Sequence, residues 1–296
     1  MKKHPLMSGC LITLAVVAFF VGLTVAAMSF IGKGSRWGMG EKVGVVEVKG
    51  LITDSRLVLK QLEKYHKDPH IKAIVVRVNS PGGAVSPSQD IMREMEKIRK
   101  DKKIVASMGS LAASGGYYVS LGADLIMASP GTATGSIGVI IKLSNVEQLT
   151  KKLGLDFFSL KSGAYKDAGT PFRQMTPEER AYLQRLIDNI YMQFLKDVAR
   201  ARKMTLEKAK SLADGKVYTG EEAKQLGLVD ELGNLPDAIE RAGRLAGIKG
   251  KVEAVYPEKE GFSLLRLLLG QDPEESLRSL TTLPYPEPAF LPPWLQ

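Results

Sequence analysis

Ser114 stands between Ala113 and the pair Gly115 and Gly116, and the run Ser80, Pro81, Gly82, Gly83 directly follows an apolar stretch at 71–78. A serine among such small neighbours leaves room for a substrate carbonyl. A helix starting at that serine would aim N–H groups and positive potential at an alkoxide or oxyanion. Paired glycines after a strand let the backbone turn sharply or come close to another molecule, where exposed N–H groups can bind a developing oxyanion. Each feature also has a plain structural reading: a tight turn at Gly82 and Gly83, and a helix N-cap at Ser114.

A serine nucleophile needs a base, most often histidine. The three histidines are His4, His66 and His70, and none follows Ser114. His66 and His70 lie among Lys64, Lys67 and Asp68 at a helix-to-strand turn, so a Ser-His-Asp triad would need an unusual geometry. A lysine base is favoured instead. It must be neutral at working pH, which requires its pKa to fall by roughly 3 units from about 10.4, at a cost of about 4 kcal/mol. Burial in an apolar pocket achieves this, and a hydroxyl partner can orient the amine. More than two dozen lysines are available, and spacing alone does not choose among them. With no CxxC pair, no HExxH helix and Cys10 as the only cysteine, neither a metal centre nor a disulfide scaffold is expected, and no cofactor is called for.

The elements that must position these residues read as alternating strands and helices. Val43–Ile52 and Ile71–Val78 are β-branched apolar runs, the second typical of a strand buried on both faces. Helical spacing follows at 55–67 and 88–99, and further strands are expected at 104–108 and 125–128, with a helix after Ser114. This alternation predicts an α/β domain built from crossover units. Thr176, Pro177 and Glu179 form a strong helix start, and Leu183, Leu186, Ile187, Ile190, Phe194 and Val198 then share one face of a helix reaching about Arg202. Shorter helices are expected at 205–212, 220–226 and 236–246.

The ends have a different character. Ser8–Ile31 carries no charge, and Cys10–Ile31 as a helix would span roughly 33 Å, about the thickness of a hydrocarbon core. The expectation is one N-terminal transmembrane helix. Lys2 and Lys3 place the N-terminus in the cytoplasm and the domain outside, although Lys33 and Arg36 weaken the contrast. A cleavable signal peptide ending near Val25-Ala26-Ala27 is the competing reading, but the apolar run exceeds the usual h-region of about 7–15 residues. Residues 262–269 form a greasy amphipathic stretch, and 282–296 hold five prolines, an extended tail suited to reaching neighbours. The expected division is 1–32 cytoplasmic stub and anchor, 33–42 linker, 43–258 folded α/β domain and 259–296 C-terminal amphipathic segment and Pro-rich tail. The formal net charge of +9 comes from bases interspersed with acids, a solvated surface rather than a nucleic-acid site, with anionic headgroups as a secondary use.

The blocks VNSPGG (78–83), SMGSLAASGGYY (107–118), TATGSIGV (132–139), KSGAYKDAGTPFRQMTPEER (161–180) and GKVYTGEEAKQLGLVDELG (215–233) together resemble the signal peptide peptidase A family of membrane-bound serine proteases. The resemblance runs from about Val43 to Ala246. It implies a Clp protease/crotonase-like fold of repeated β-β-α units and a Ser/Lys dyad. Ser114 then matches the nucleophile, Lys166 the general base, and Ser136 the serine that orients the lysine amine. Gly83, with Gly82 beside it and the N–H of Gly115, matches the oxyanion hole. The resemblance to short members further implies a homo-oligomeric ring, an octamer being one candidate size, in which the lysine serves a neighbouring protomer's serine. The implied activity is endopeptidase cleavage of residual signal peptides at the extracytoplasmic face of the inner membrane. Rival readings are a membrane-protein quality-control protease, a crotonase-like enzyme acting on coenzyme A thioesters, and a non-catalytic membrane scaffold.

Overall fold

The computed structural model describes residues 19–23, 40–257 and 289–290. The chain divides into two units, Met1–Gly40 and Glu41–Gln296. In the first, residues 19–23 are helical. The rest of the expected membrane span, and the greasy stretch 262–269, lie outside the described residues. Among the described residues no helix is long and apolar enough to cross a membrane.

The second unit opens with β1 (Lys42–Ile52), α1 (Arg56–Lys67), β2 (Ile71–Ala84), α2 (Val85–Ile98), β3 (Lys103–Ala113) and α3 (Gly115–Ser120). Next come β4 (Leu125–Ala128), β5 (Ala133–Gly135), α4 (Glu147–Lys152), α5 (Pro177–Ala201) and α6 (Leu206–Ser211). The remainder is β6 (Val217–Thr219), α7 (Gly220–Gln225), β7 (Glu231–Leu232), α8 (Leu235–Leu245), β8 (Glu253–Val255) and β9 (Ala289–Phe290). One mixed sheet runs in the order β6-β5-β3-β2-β1-β8, parallel except where β5 meets β6 and β2 meets β9. This parallel-rich α/β architecture is consistent with the Clp protease-like fold. The far side of β3 is divided: β4 pairs Val105–Ser107, and β5 pairs Leu111–Ala113.

The two-residue period of a strand explains why the central strands are apolar throughout. Val46, Val48, Ile74, Val76, Val78, Ile104 and Ala106 face the larger core layer, while Val43, Val45, Ala73, Val75 and Val105 face α8 with Ala238 and Ala242. Gly44 allows α1 to lie close: a Cβ there would sit 2.6 Å from the Tyr65 ring.

Two elements run past their sequence boundaries. β2 continues through Pro81, Gly82 and Gly83 instead of ending at Val78, because pairing with Ile52 persists beyond a register shift. β3 extends to Ala113 because β5 supplies a new partner where β4 stops. The three-residue β5 and β6 carry too little apolar pattern to be read as strands, and α4 has no buried residue to give it a periodic face.

The apolar stripe of α5 divides. Phe194, Leu195 and Val198 are fully buried, whereas Tyr182 and Leu186 near its start are 39% and 38% exposed. The capping box at its N-terminus is formed as the sequence predicts, with Thr176 Oγ1 accepting from Glu179 N–H and Glu179 Oε2 accepting from Thr176 N–H. The Phe194 ring lies 4.7 Å from that of Tyr118, joining α5 to α3. Phe194→Ala should therefore destabilise the unit by about 3–5 kcal/mol, read as a lowered midpoint in equilibrium urea unfolding.

Candidate active site

Ala113, the last residue of β3, pairs with Gly135, the last residue of β5. The residues that follow, Ser114 and Ser136, thus leave adjacent strands at one level. Ser114 N–H donates to Gly135 O at 2.8 Å, and Ser136 N–H to Lys216 O at 2.7 Å. Both serines have positive φ, 54° and 49°, in the left-handed region that side-chain-bearing residues rarely enter. Such strain persists only where the surroundings over-determine it, and it concentrates at functional sites. Both are buried, and Ser114 Oγ has no hydrogen-bond partner.

Ser114 is also the N-cap of α3, but its side chain does not cap the helix. The plain N-cap reading therefore does not account for this hydroxyl. Tyr118 N–H donates to Ser114 O, and Tyr118 Oη donates to Asp197 on α5. Burial first, and then this carboxylate, push the Tyr118 hydroxyl well above its ordinary pKa, so it remains a donor. Tyr117 Oη, fully buried, donates to Leu228 O at 3.0 Å. The short helix that follows Ser114 is thus pinned at both tyrosines.

β2 lies on the other side of β3, with Ser80 paired to Ala112. A Cβ on Gly115 would lie 3.0 Å from Gly82 Cα and 3.2 Å from Gly83 N, so the first residue of α3 is packed against the glycine pair. Gly83 has φ 154°, and a Cβ there would fall 2.2 Å from Ile52 O. Neither position admits a side chain. Gly82 N–H donates to Ser80 Oγ at 3.0 Å, which fixes the bend. Sequence reasoning treated Ser80 only as part of a glycine turn. Its hydroxyl is the piece that holds the turn, and its place two residues before Gly82 was the available signal.

The structure brings together Ser114, Ser136, Gly82, Gly83 and Gly115. It does not bring Lys166 to Ser114 Oγ within one chain. Lys166 is exposed, on a series of turns at 163–169 where its N–H donates to Gly163 O at 3.1 Å. Beside Ser136 an open cleft of about 370 Å³ is lined by Ile137, Val139, Ile187, Tyr191 and Asp214 among others. Among the described residues no group of three or more His, Cys, Asp or Glu is placed to hold a metal ion.

The C-terminal strand β9 enters the same region: Ala289 and Phe290 pair antiparallel with Ala84 and Gly83. An extended segment of chain therefore lies along the edge of β2, beside the glycine pair.

Comparison with known proteins identifies the family. The model of peptidase family S49 matches residues 96–249, more than half of the chain, and that of Clp protease matches 45–134. The chain is 41% identical over 234 residues to “Putative protease slr0021” of Synechocystis sp., covering 78% of this chain and 84% of that protein. It is 43% identical over 183 residues to “Putative signal peptide peptidase SppA” of Enterococcus faecium, covering 62% and 53%. With “Protease 4” of Salmonella typhi it shares 38% identity over 220 residues, 71% of this chain but 35% of the relative. The family match over more than half of the chain, together with these relatives, places the chain in peptidase family S49, among the serine proteases related to signal peptide peptidase A.

Proposed function

We propose that this serine protease is a membrane-anchored endopeptidase that uses Ser114 and Lys166 as a dyad and clears residual signal peptides at the extracytoplasmic face of the inner membrane. The observation that carries the mechanism is the buried Ser114 Oγ with no partner of its own. A hydroxyl so placed has lost water and gained nothing in return, an arrangement that serves a group awaiting a base and a substrate.

Neutral Lys166 takes the Ser114 proton, and the alkoxide attacks the peptide carbonyl. The N–H groups of Gly83 and Gly115 receive the oxyanion, while Gly82 shapes the turn beneath them. The acyl-enzyme is then hydrolysed by water activated by the same amine. Ser136, one strand away from Ser114, orients that amine.

Because Lys166 sits on an exposed turn of the same chain, the lysine at each Ser114 comes from a second copy in a homo-oligomeric ring. Support comes from the segment that carries it: Leu149, Leu153, Leu155, Phe157, Phe158 and Leu160 are all exposed, an apolar surface suited to burial against another protomer. The cleft beside Ser136 leaves room for the incoming side chain. The substrate adds as an extended strand along β2, in the manner of β9. Its class follows from the E. faecium relative's name and from the apolar N-terminal run.

Hydrolysis of a fluorogenic hydrophobic peptide by the full-length protein tests the dyad. Ser114→Ala and Lys166→Ala should each lose on the order of 10³-fold or more, and co-assembly of the two variants should regain activity. Near wild-type rates for Lys166→Ala would refute the base assignment. Gly83→Ala should lower kcat by about 10²–10³-fold, since its Cβ meets the Ile52 carbonyl; an unchanged kcat would remove Gly83 from the oxyanion hole. A third expectation concerns the tail, which on this reading competes with substrate for the edge of β2. A variant ending at Pro257 should cleave short peptides faster, with a lower KM, and identical kinetics would exclude that role.

A further inference from the structure

One ionic cluster belongs neither to the core nor to the serine site. Arg173 Nη1 and Nη2 donate to Glu179 Oε2 and Oε1 at 2.9 and 2.5 Å, a bidentate fork. The same guanidinium reaches Asp167, with Nη2 3.0 Å from Oδ1 and Nε 3.4 Å from Oδ2. Lys161 Nζ also donates to Asp167, and to Ala164 O at 3.2 Å. Asp167 directly follows Lys166, and Glu179 is the N3 residue of the α5 capping box.

We propose that Arg173 is a positioning residue for Lys166: by holding Asp167 and Glu179 in one fork, it ties the turn that carries the lysine to the first turn of α5. The inference rests on the reading of Lys166 as the general base.

The location of the cluster gives it this weight. The segment from Leu149 to Leu160 has an exposed apolar surface and no core of its own. Few other contacts tie the lysine turn down. Val146 N–H donates to Pro171 O at 2.7 Å, Gln174 N–H to Glu147 Oε2 at 3.0 Å, and the Tyr165 ring lies 5.0 Å from Tyr182. Gly169 packs on Leu143, where a Cβ would come within 3.1 Å. Like the Tyr165–Tyr182 ring pair, the arginine fork reaches a residue next to the lysine and ends on α5, and it does so through bidentate, charged geometry.

An isolated exposed ion pair would carry little. This one is bidentate, and the Glu179 side chain is only 5% exposed, so the fork has the fixed geometry that a point charge lacks. Arg173 first, and then the Thr176 N–H, hold the Glu179 carboxyl at about 2. Lys161 and then Arg173 lower the Asp167 carboxyl. A depressed carboxylate loses its stabilisation as pH falls through its folded value, so Asp167 and Glu179 both stay ionised at neutral pH and above. The other titratable and charged groups on this turn and the first turns of α5 are Lys161, Tyr165, Glu178, Arg180, Tyr182, Arg185 and Asp188, with Glu147 on α4 reaching Gln174.

The test uses the full-length protein with Arg173→Met, Arg173→Lys, Asp167→Asn and Lys166→Ala, measuring kcat, KM, the pH dependence of kcat and thermal unfolding. Arg173→Met should lower kcat by about 10- to 100-fold with little change in KM. The acidic limb of its kcat profile should move to higher pH, because an amine less firmly held against the neighbouring copy's serine would be better hydrated. Arg173→Lys should fall between it and wild type. Asp167→Asn cuts only the turn side of the fork and leaves the capping box, so it should shift the limb the same way with an unchanged unfolding midpoint. If Arg173→Met merely loses folded protein, with the limb fixed and Asp167→Asn at wild-type rate, Arg173 is structural and the proposal is overturned. If Lys166→Ala is dead while both Arg173→Met and Asp167→Asn match wild type in rate and limb, the positioning role fails and the base stands. If Lys166→Ala keeps its rate, both fail.

Discussion

The pairing of Ala113 with Gly135 is the constraint on which the site depends. It brings two strand ends to one level, so the residues after them emerge side by side, each with positive φ and with its own N–H hydrogen-bonded to a backbone carbonyl. Remove that short ladder and neither hydroxyl has a defined direction. β5 is only three residues long, and it is held on its other side by β6, where Gly135 pairs with Val217. Its stability is therefore borrowed from neighbours, chiefly from β3, whose first half is locked into the core by β2 and β4.

Around this pairing the molecule is divided in its rigidity. The Ser114 side is built on the buried sheet, with α3 fastened to α5 through the Tyr118 and Phe194 rings and the Asp197 carboxylate. The lysine side rests on turns and an apolar surface open to water. The proposed dyad would join one partner fixed by packing and one tied by ionic contacts. The second is the half more readily moved by changes in assembly or in surface charge.

Much of this was legible in the sequence, for physical reasons. β1 and β2 are apolar at every step because both faces are covered, and the capping box of α5 is written in four consecutive residues. Ser114 among small neighbours, and the absence of any later histidine, pointed to serine chemistry with a lysine partner. Which lysine came only from resemblance, since Lys166 has no local pattern to mark it. The continuation of β2 through Pro81 and the glycines was not legible, because residues that punctuate turns are here overruled by pairing with β1. Nor was the β2–β9 pairing, which joins residues about two hundred positions apart and leaves no periodic trace in either segment.

The backbone at Ser114 also limits what evolution can place there. At φ 54° a β-branched residue is a steric outlier, because its second γ-substituent crowds the backbone whichever rotamer it takes. Threonine carries the same hydroxyl and would serve the same proton transfer, yet the fold penalises it at this position. The choice of serine is thus made as much by the strand end that holds it as by the reaction. A lineage drifting at this site can reach glycine or alanine, and lose its chemistry, more easily than it can reach the other alcohol.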